Sequence, residues 1–461
     1  MVRGGRDLTM PDGKGARERK LSTSRLARGL QLSGSVLGAA GRLGLGAVRR
    51  VLVAGEELAR HRAEDDRAAA SSLAGSMGRL KGAAMKLGQM LSYVDANVPE
   101  PMREALATLQ SQAPAMDPET ISGIIQADLG APPEQLFAAW ERQPFAAASI
   151  GQVHRARLHG GEEVAVKVQY PAIRDAVSAD LKNAGMVQAM GRLVVRAAGS
   201  SEVVEEIRRR LLEECDYLRE AANQKRFKAL FAADPRVRIP GVVDRYSSER
   251  VLTSTFEQGI DFKTFNATAD QRRKNAAAEI IWDVAFTSLF RHLFFNCDPH
   301  PGNYLFDGDQ VVFLDFGCVR PFEPAFVRDW KGMIRAVLER DRDGFEDRVL
   351  KVGLVGNRAG FDFDYHFKML QYLYRPMLHP GPYRFTEEYI KRSFHVLLAN
   401  NPNRFKLRLP PELVFVNRLQ WGLYSLLATM NAEVDWRRLT LRVLYEEGEK
   451  LPEPYVQPEE D

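Results

Sequence analysis

Apolar residues recur along this chain with two periods, and the switches between them divide it. Residues 61–140 carry apolar groups at helical spacing. Within them, Asp117-Pro118-Glu119 reads as a helix start: an N-cap, a first-turn proline and an acid near the positive end of the helix dipole. From about residue 145 the pattern shortens to strand alternation. HRARL (154–158), Gly160-Gly161 and EEVAVKVQY (162–170) predict a strand, a tight turn and a second strand. Helical spacing returns over 175–232. RIPGVVDRYSSERVLTSTF (238–256) predicts two short strands joined by a turn. From about 262 the chain reads as mostly helical. The exception is 296–317, which reads as a polar loop, two short strands and another polar loop. The most apolar late stretch, 409–430, contains Glu412, Asn417 and Arg418, so it predicts a core helix rather than a membrane span.

Length and composition narrow the classes. At ~150 residues per domain, 461 residues suit about three folding units, or one two-lobed enzyme with an extension. With 45% hydrophobic and 27% charged residues, the chain can bury a core. No run of ~18 apolar residues lacks a charge, which excludes an ordinary membrane span. A net charge of +4 is too mild for a nucleic-acid binder. Cys215, Cys297 and Cys318 have no C-x-x-C spacing and suit a reducing compartment, and the scattered histidines make no zinc pattern. The charge is uneven: residues 1–50 hold eleven Lys/Arg and three acids. Residues 1–28 read as a basic disordered tail and 451–461 as an acidic one. The apolar segment 29–60 is interrupted by Arg42, Arg49 and Arg50. It reads either as a helix on a membrane surface, with arginines at anionic headgroups, or as a soluble helix packed through Gly34, Gly38 and Gly41.

The chemistry lies in an ordered series. A small-residue turn, Ala146-Ala147-Ala148-Ser149, comes first, then Lys167 at the end of an apolar strand. An acidic helix carries Glu213, Glu214, Asp216 and Glu220. Asp298 and Asn303 share a polar loop, and Asp315-Phe316-Gly317 follows the strand VVFL. This is the order of a kinase-like phosphotransferase. A strand lysine can grip nucleotide phosphates, and a helix acid can hold that lysine. Asp315 and Asn303 offer oxygen ligands to Mg²⁺. Asp298 can orient or deprotonate an attacking hydroxyl or water. Each piece alone is weak; the set in order carries the reading.

The chain resembles the UbiB/AarF/ADCK family of atypical kinase-like proteins over roughly residues 70–440. The motifs are Lys86-Leu87-Gly88-Gln89 (the family's K-x-G-Q), AAASIGQVH (146–154), VAVKVQYP (164–171), ECDYLREAAN (214–223), CDPHPGN (297–303) and LDFG (314–317). The resemblance implies an α+β bilobal kinase-like fold: a small β-containing N-lobe over 141–258, a mostly helical C-lobe over 259–450, and a helical family-specific extension over 61–140. It implies ATP (or ADP) and Mg²⁺ as cofactors. Lys167 matches the nucleotide-binding lysine, Glu220 its partner, Asp298 the catalytic-loop aspartate, and Asn303 and Asp315 the metal ligands. Lys86, Gln89, Glu214 and Asp216 match the regulatory extension and its E-x-D partner. Lys86 and Gln89, three apart, share one helix face.

Further expectations follow. Protein kinases use glycines where this chain has Ala146–Ala148, and Cβ atoms there hinder close approach of backbone amides to phosphates. The resemblance therefore implies altered nucleotide selectivity and suppressed protein phosphorylation. Thr255 stands in the adenine-binding segment where relatives often have an acid. His300 predicts loop packing, Cys297 and Cys318 small packing residues rather than redox groups, and Glu213 a solvated helix face. The leading expectation is an ATPase or kinase supporting ubiquinone synthesis. Its partners would be anionic membrane lipid, quinone-precursor lipids and quinone-biosynthesis enzymes. Its place would be cytoplasmic, peripheral on the inner face of a bacterial membrane, or the mitochondrial matrix face. Two other readings stay open: a nucleotide-binding pseudokinase scaffold and a small-molecule phosphotransferase, though the latter class lacks the K-x-G-Q extension.

Overall fold

The computed structural model describes residues 116–148, 150–171, 213, 215–356, 358–398, 401–408 and 410–456. The expectations for 1–28, 29–60 and most of 61–140, including Lys86 and Gln89, lie outside the described residues, as do those for Ser149 and Glu214.

Helix α1 (Pro118–Leu129) starts where the sequence predicts: the Asp117 carboxylate accepts the Thr120 N–H at 3.2 Å and Pro118 opens the first turn. Its Ile121, Ile124 and Ile125 recur at i, i+3 and i+4, so one face is apolar and buried. That face covers an antiparallel sheet of β1 (Ala139–Trp140), β2 (Ala146–Ala148), β3 (Gly151–Arg157), β4 (Glu163–Gln169) and, after β5 (Val237–Arg238) in sequence, β6 (Val251–Thr255). The order is β1-β3-β4-β6, with β2 pairing on β3. The predicted turn between β3 and β4 is present, with Gly161 at φ 93°. Strand alternation then sorts the side chains of β4. Val164, Val166 and Val168 are fully buried beneath α1, while Ala165 and Lys167 face the opposite side. The small-lobe core thus includes α1, which by sequence stood with the extension.

Helix α2 (Tyr217–Leu230) follows. The predicted strands over 238–256, β5 and β6, lie in different sheets, and the two arms meet at an antiparallel bridge of Val242 with Ser254, where the Val243 N–H donates to the Thr253 carbonyl at 2.8 Å. Pro240-Gly241 redirects the chain, and β5 pairs in parallel with β10 (Gln310–Phe313) in a second sheet, ordered β5-β10-β9-β7, with β9 (Tyr304–Asp307) and β7 (Ile260–Asp261). The other predicted strands, β9 and β10, do pair, turning at Gly308.

The larger lobe adds α3 (Phe262–Thr268), α4 (Gln271–His292), the strand pair β8 (Phe294–Asn296) and β11 (Val319–Pro321), then α5 (Pro324–Glu339), α6 (Arg342–Val352), α7 (Phe363–Leu373), α8 (Glu387–Leu398), α9 (Pro411–Thr429) and α10 (Trp436–Leu444). Its core centres on aromatic packing: Trp282 and Trp436 ring centroids lie 4.9 Å apart, and Phe385 and Tyr424 4.8 Å apart. α9 is the helix expected over 409–430. Leu413, Val416, Leu423 and Leu427 bury one stripe of it, and Arg418 is buried as well. No helix among the described residues is long and apolar enough to cross a membrane.

Candidate active site

A cleft of about 490 Å³ opens between the first sheet and the larger lobe. One part is apolar, walled by Val153 and Ala165 from the small lobe and Leu305 and Leu314 from the large. The other part carries Lys167, Asp298, Asn303 and Asp315. The fold therefore brings the dispersed polar series to one place, beside a slot suited to a flat ring.

Lys167 reaches the cleft because of its register on β4. Its Nζ donates to both Glu220 oxygens, at 2.7 and 2.9 Å, and to Asp315 Oδ2 at 3.4 Å. The Glu220 side chain is 4% exposed, so its charge depends on that lysine. Burial alone would pull the Lys167 ammonium down; the Asp315 and Glu220 carboxylates overcome it and hold the group well above the usual lysine range. The Tyr217 ring also faces Lys167, 4.9 Å from Nζ to the centroid. Burial pushes the Tyr217 phenol up, so it stays neutral and does not compete for the cation.

Glu220 lies in the first turn of α2. Asp216, expected on the helix, is instead its N-cap, accepting the Leu218 and Arg219 N–H groups at 3.1 and 3.2 Å. A cap of this kind contributes ~1 kcal/mol and sets where α2 begins, hence where Glu220 points. Glu213 is not a solvated face. It pairs with Arg320 at 2.5 Å and with Arg219 at 3.1 Å, and Arg320 is 3% exposed.

Phe316 inserts beneath α2 against Phe227, with centroids 5.1 Å apart, while Asn223 of α2 donates to the Phe316 carbonyl at 3.1 Å. These contacts fix the chain after Asp315. The aspartate's Oδ1 accepts the Gly317 N–H at 3.0 Å and its Oδ2 faces Lys167. Asn303 closes the Asp298 loop by donating Nδ2 to the Asp298 carbonyl at 2.9 Å, and its amide oxygen could serve a cation. A carboxylate and an amide oxygen in one cleft are the hard donors that Mg²⁺ takes.

Asp298 is held from behind. Arg418 of α9 approaches its Oδ1 at 3.1 Å, and both side chains are under 10% exposed. The helix can come this close because Gly422, one turn on, has no side chain: a Cβ there would stand 2.5 Å from Pro299 Cγ. Gly422→Ala is expected to lower turnover roughly tenfold, since an ångström of misplacement can cost far more. Gly123→Ala, in open space on α1, is the control. Equal turnover in the two variants would show that α9 does not position the loop.

Ala146, Ala147 and Ala148 form β2 and line the cleft. Thr255 ends β6 at the cleft; its Oγ1 accepts the Gly241 N–H at 2.8 Å and donates to Glu257 Oε1 at 3.2 Å. An acid is thus present two residues beyond the position where one was expected. His300 accepts the Gly302 N–H at 3.1 Å and caps the turn Pro301–Asn303, in keeping with loop packing. Sequence reasoning missed Gln224, Tyr217 and Arg418. Gln224 had a signal: it lies four residues after Glu220, on the same helix face, and its Nε2 donates to Ser254 Oγ at 3.0 Å on the cleft wall. Arg418 had only its charge inside an apolar helix.

Comparison with known proteins agrees with this geometry. Residues 108–348 match the ABC1 atypical kinase-like domain. The atypical kinase COQ8B, mitochondrial, of Rattus norvegicus is 30% identical over 92% of this chain and 81% of its own length. The atypical kinase COQ8, mitochondrial, of Saccharomyces cerevisiae is 28% identical over 78% of this chain and 73% of its own. Among solved structures, that of Rv3197 from Mycobacterium tuberculosis, a complex with erythromycin, is similar at a TM-score of 0.62 and 28% identity. It covers 84% of this chain and 98% of its own. With Lys167, Asp298, Asn303 and Asp315 gathered in one cleft, Glu220 bonded to the lysine, and relatives matched along most of the chain, this protein belongs to the ABC1 atypical kinase-like family.

Proposed function

We propose that this chain binds ATP with Mg²⁺ in the cleft and uses it as an ATPase or kinase that supports isoprenoid-quinone synthesis at a membrane surface. The observation that carries the reading is the Lys167–Glu220–Asp315 cluster beside Asp298 and Asn303. Lys167 neutralises phosphate charge, and Glu220 keeps it aimed. Asn303 and Asp315 would hold the cation, which would supply charge stabilisation to the transferred phosphoryl group. Asp298, oriented by Arg418, faces the attacking hydroxyl or water. The alanines of β2 favour transfer to water or a small acceptor over protein side chains.

The partners we infer are anionic lipid, quinone-precursor lipids and the enzymes that modify them. Lys86, Gln89 and Glu214 are inferred to regulate access to the cleft. The site of action is a membrane face, either the inner face of a bacterial membrane or the mitochondrial matrix face; the rat and yeast relatives named mitochondrial support the second. ATP hydrolysis by the purified protein with Mg²⁺ tests this, with and without anionic liposomes and a phenolic quinone-precursor mimic. Turnover that rises severalfold with lipid is the expected result. Nucleotide bound without turnover under every condition would replace the enzyme with a scaffold. A small-molecule phosphotransferase has one observation in its favour, the erythromycin complex of the similar structure. An arm with erythromycin separates it: phosphate transferred to the macrolide would favour that reading.

A further inference from the structure

Two buried thiols face each other between the catalytic loop and the segment after Asp315. The antiparallel register of β8 and β11 pairs Asn296 with Val319 and continues to Cys297 and Cys318, where the Cys297 N–H donates to the Cys318 carbonyl at 3.0 Å. The Cys297 thiol donates to the same carbonyl at 2.8 Å, and the two sulfurs lie 2.7 Å apart, inside the contact distance of non-bonded sulfurs. Opposed residues of an antiparallel pair have Cα atoms about 4.5–5.5 Å apart, within the roughly 4.4–6.8 Å that a disulfide spans. Neither cysteine is in a disulfide in this structure. A bond between them needs no rearrangement of the strands.

Their position gives that bond a consequence. Cys297 directly precedes Asp298, and Cys318 directly follows Gly317. Asp298 lines the cleft, so the pair lies one residue behind its wall. Burial and the neighbouring thiol hold the Cys297 pKa well above the usual thiol range, while Arg418 and Arg320 favour its thiolate. Oxidation is therefore slow in the closed protein and speeds up with rising pH.

We propose that Cys297 and Cys318 form a reversible disulfide that ties the Asp298 loop to the segment after Asp315, a redox switch on the cleft. The oxidant is a hydroperoxide. With hydrogen peroxide, one thiolate attacks an oxygen, the O–O bond breaks, and a sulfenic acid forms with loss of water. The second thiol attacks that sulfur, the S–O bond breaks, and a second water leaves. The thiol pair loses two electrons and the peroxide gains them. A dithiol reverses the bond by exchange. The effect on nucleotide rests on the proposed function. Asp315 lies against Lys167; the disulfide locks the spacing between its segment and the Asp298 loop, which limits how closely Asp315 and Asn303 can draw together on a cation.

The test treats the purified full-length chain with hydrogen peroxide, then counts thiols after denaturation and maps disulfide peptides by mass. The chain has three cysteines. Thiols should fall from three to one, with a Cys297–Cys318 peptide found and dithiothreitol restoring all three. Affinity for a fluorescent ATP analogue with Mg²⁺ should fall at least about fivefold on oxidation, the low end of coupling between sites, and recover with dithiothreitol. Cys297→Ser should keep its affinity through the same treatment, and Cys215→Ser should respond like the parent. Persistence of three thiols, or oxidation of single cysteines without a bridge, overturns the bond. A bridge with unchanged affinity overturns the switch. Failure of the reduced protein to bind the analogue refutes the nucleotide reading and the switch with it, while the thiol count still decides the bond.

Discussion

Asp315→Asn is expected to lower the proposed Mg²⁺-dependent ATP turnover at least about a hundredfold while leaving the protein folded. The carboxylate has two contacts, Oδ1 with the Gly317 N–H and Oδ2 toward Lys167. An asparagine keeps the size and one acceptor oxygen, so the loop can hold its shape. It removes the negative charge that draws a divalent cation. A cation in such a site supplies several kcal/mol of charge stabilisation, and each ~1.4 kcal/mol is tenfold in rate. Titrating turnover against Mg²⁺ checks the cause: the variant should need more metal to reach a lower plateau. A variant with the parent's plateau and metal requirement would remove Asp315 from the metal site.

Lys167→Met has the largest expected effect on stability. It leaves Glu220, nearly sealed from water, facing Asp315 without the cation between them. Removing one partner of a buried ion pair costs ~3–5 kcal/mol, which in a protein this size lowers Tm by roughly 3–5 °C. The loss comes from the stranded carboxylate, so a second change should return most of it. Lys167→Met/Glu220→Leu is expected within about 1–2 kcal/mol of the parent, because apolar replacement of a buried pair is often near neutral. Thermal unfolding of the two single variants and the double variant measures this. Equal melting of Lys167→Met and the parent would mean that Glu220 is solvated. Lys167 lies well above its usual pKa, so the pair's contribution is fully present at neutral pH and is lost only as pH rises past the range of a free lysine.

Much of the site was legible because its chemistry sits in short runs whose local structure is self-evident. The β4 alternation alone puts Lys167 opposite the valines. Asp117-Pro118 marked a helix start that the structure keeps. The missing parts are long-range. Arg418 meets Asp298 across 120 residues of chain, and no local pattern encodes that meeting. Asp216 looked like one more acid on a helix; only the backbone shows that the helix begins after it. The strands over 238–256 looked like neighbours joined by a turn; the partner of the first, β10, lies far along the chain, and no local pattern names it.

That last feature bears on how the two lobes can move. In sequence, β5 falls between α2 and β6, yet it is stitched to β10 and not to the small-lobe sheet. The chain therefore goes over to the second sheet at β5, returns at β6, and goes over again to β7. Arg238 of β5 adds bonds to Asp307 and Glu257 at 2.8 Å each, riveting the strap to the hinge. Lobes joined by one thread can gape; lobes laced by several can only twist a little or slide. Nucleotide would then enter and leave through the mouth of a nearly rigid slot, and the speed of exchange would be set by that mouth rather than by a swinging of the lobes.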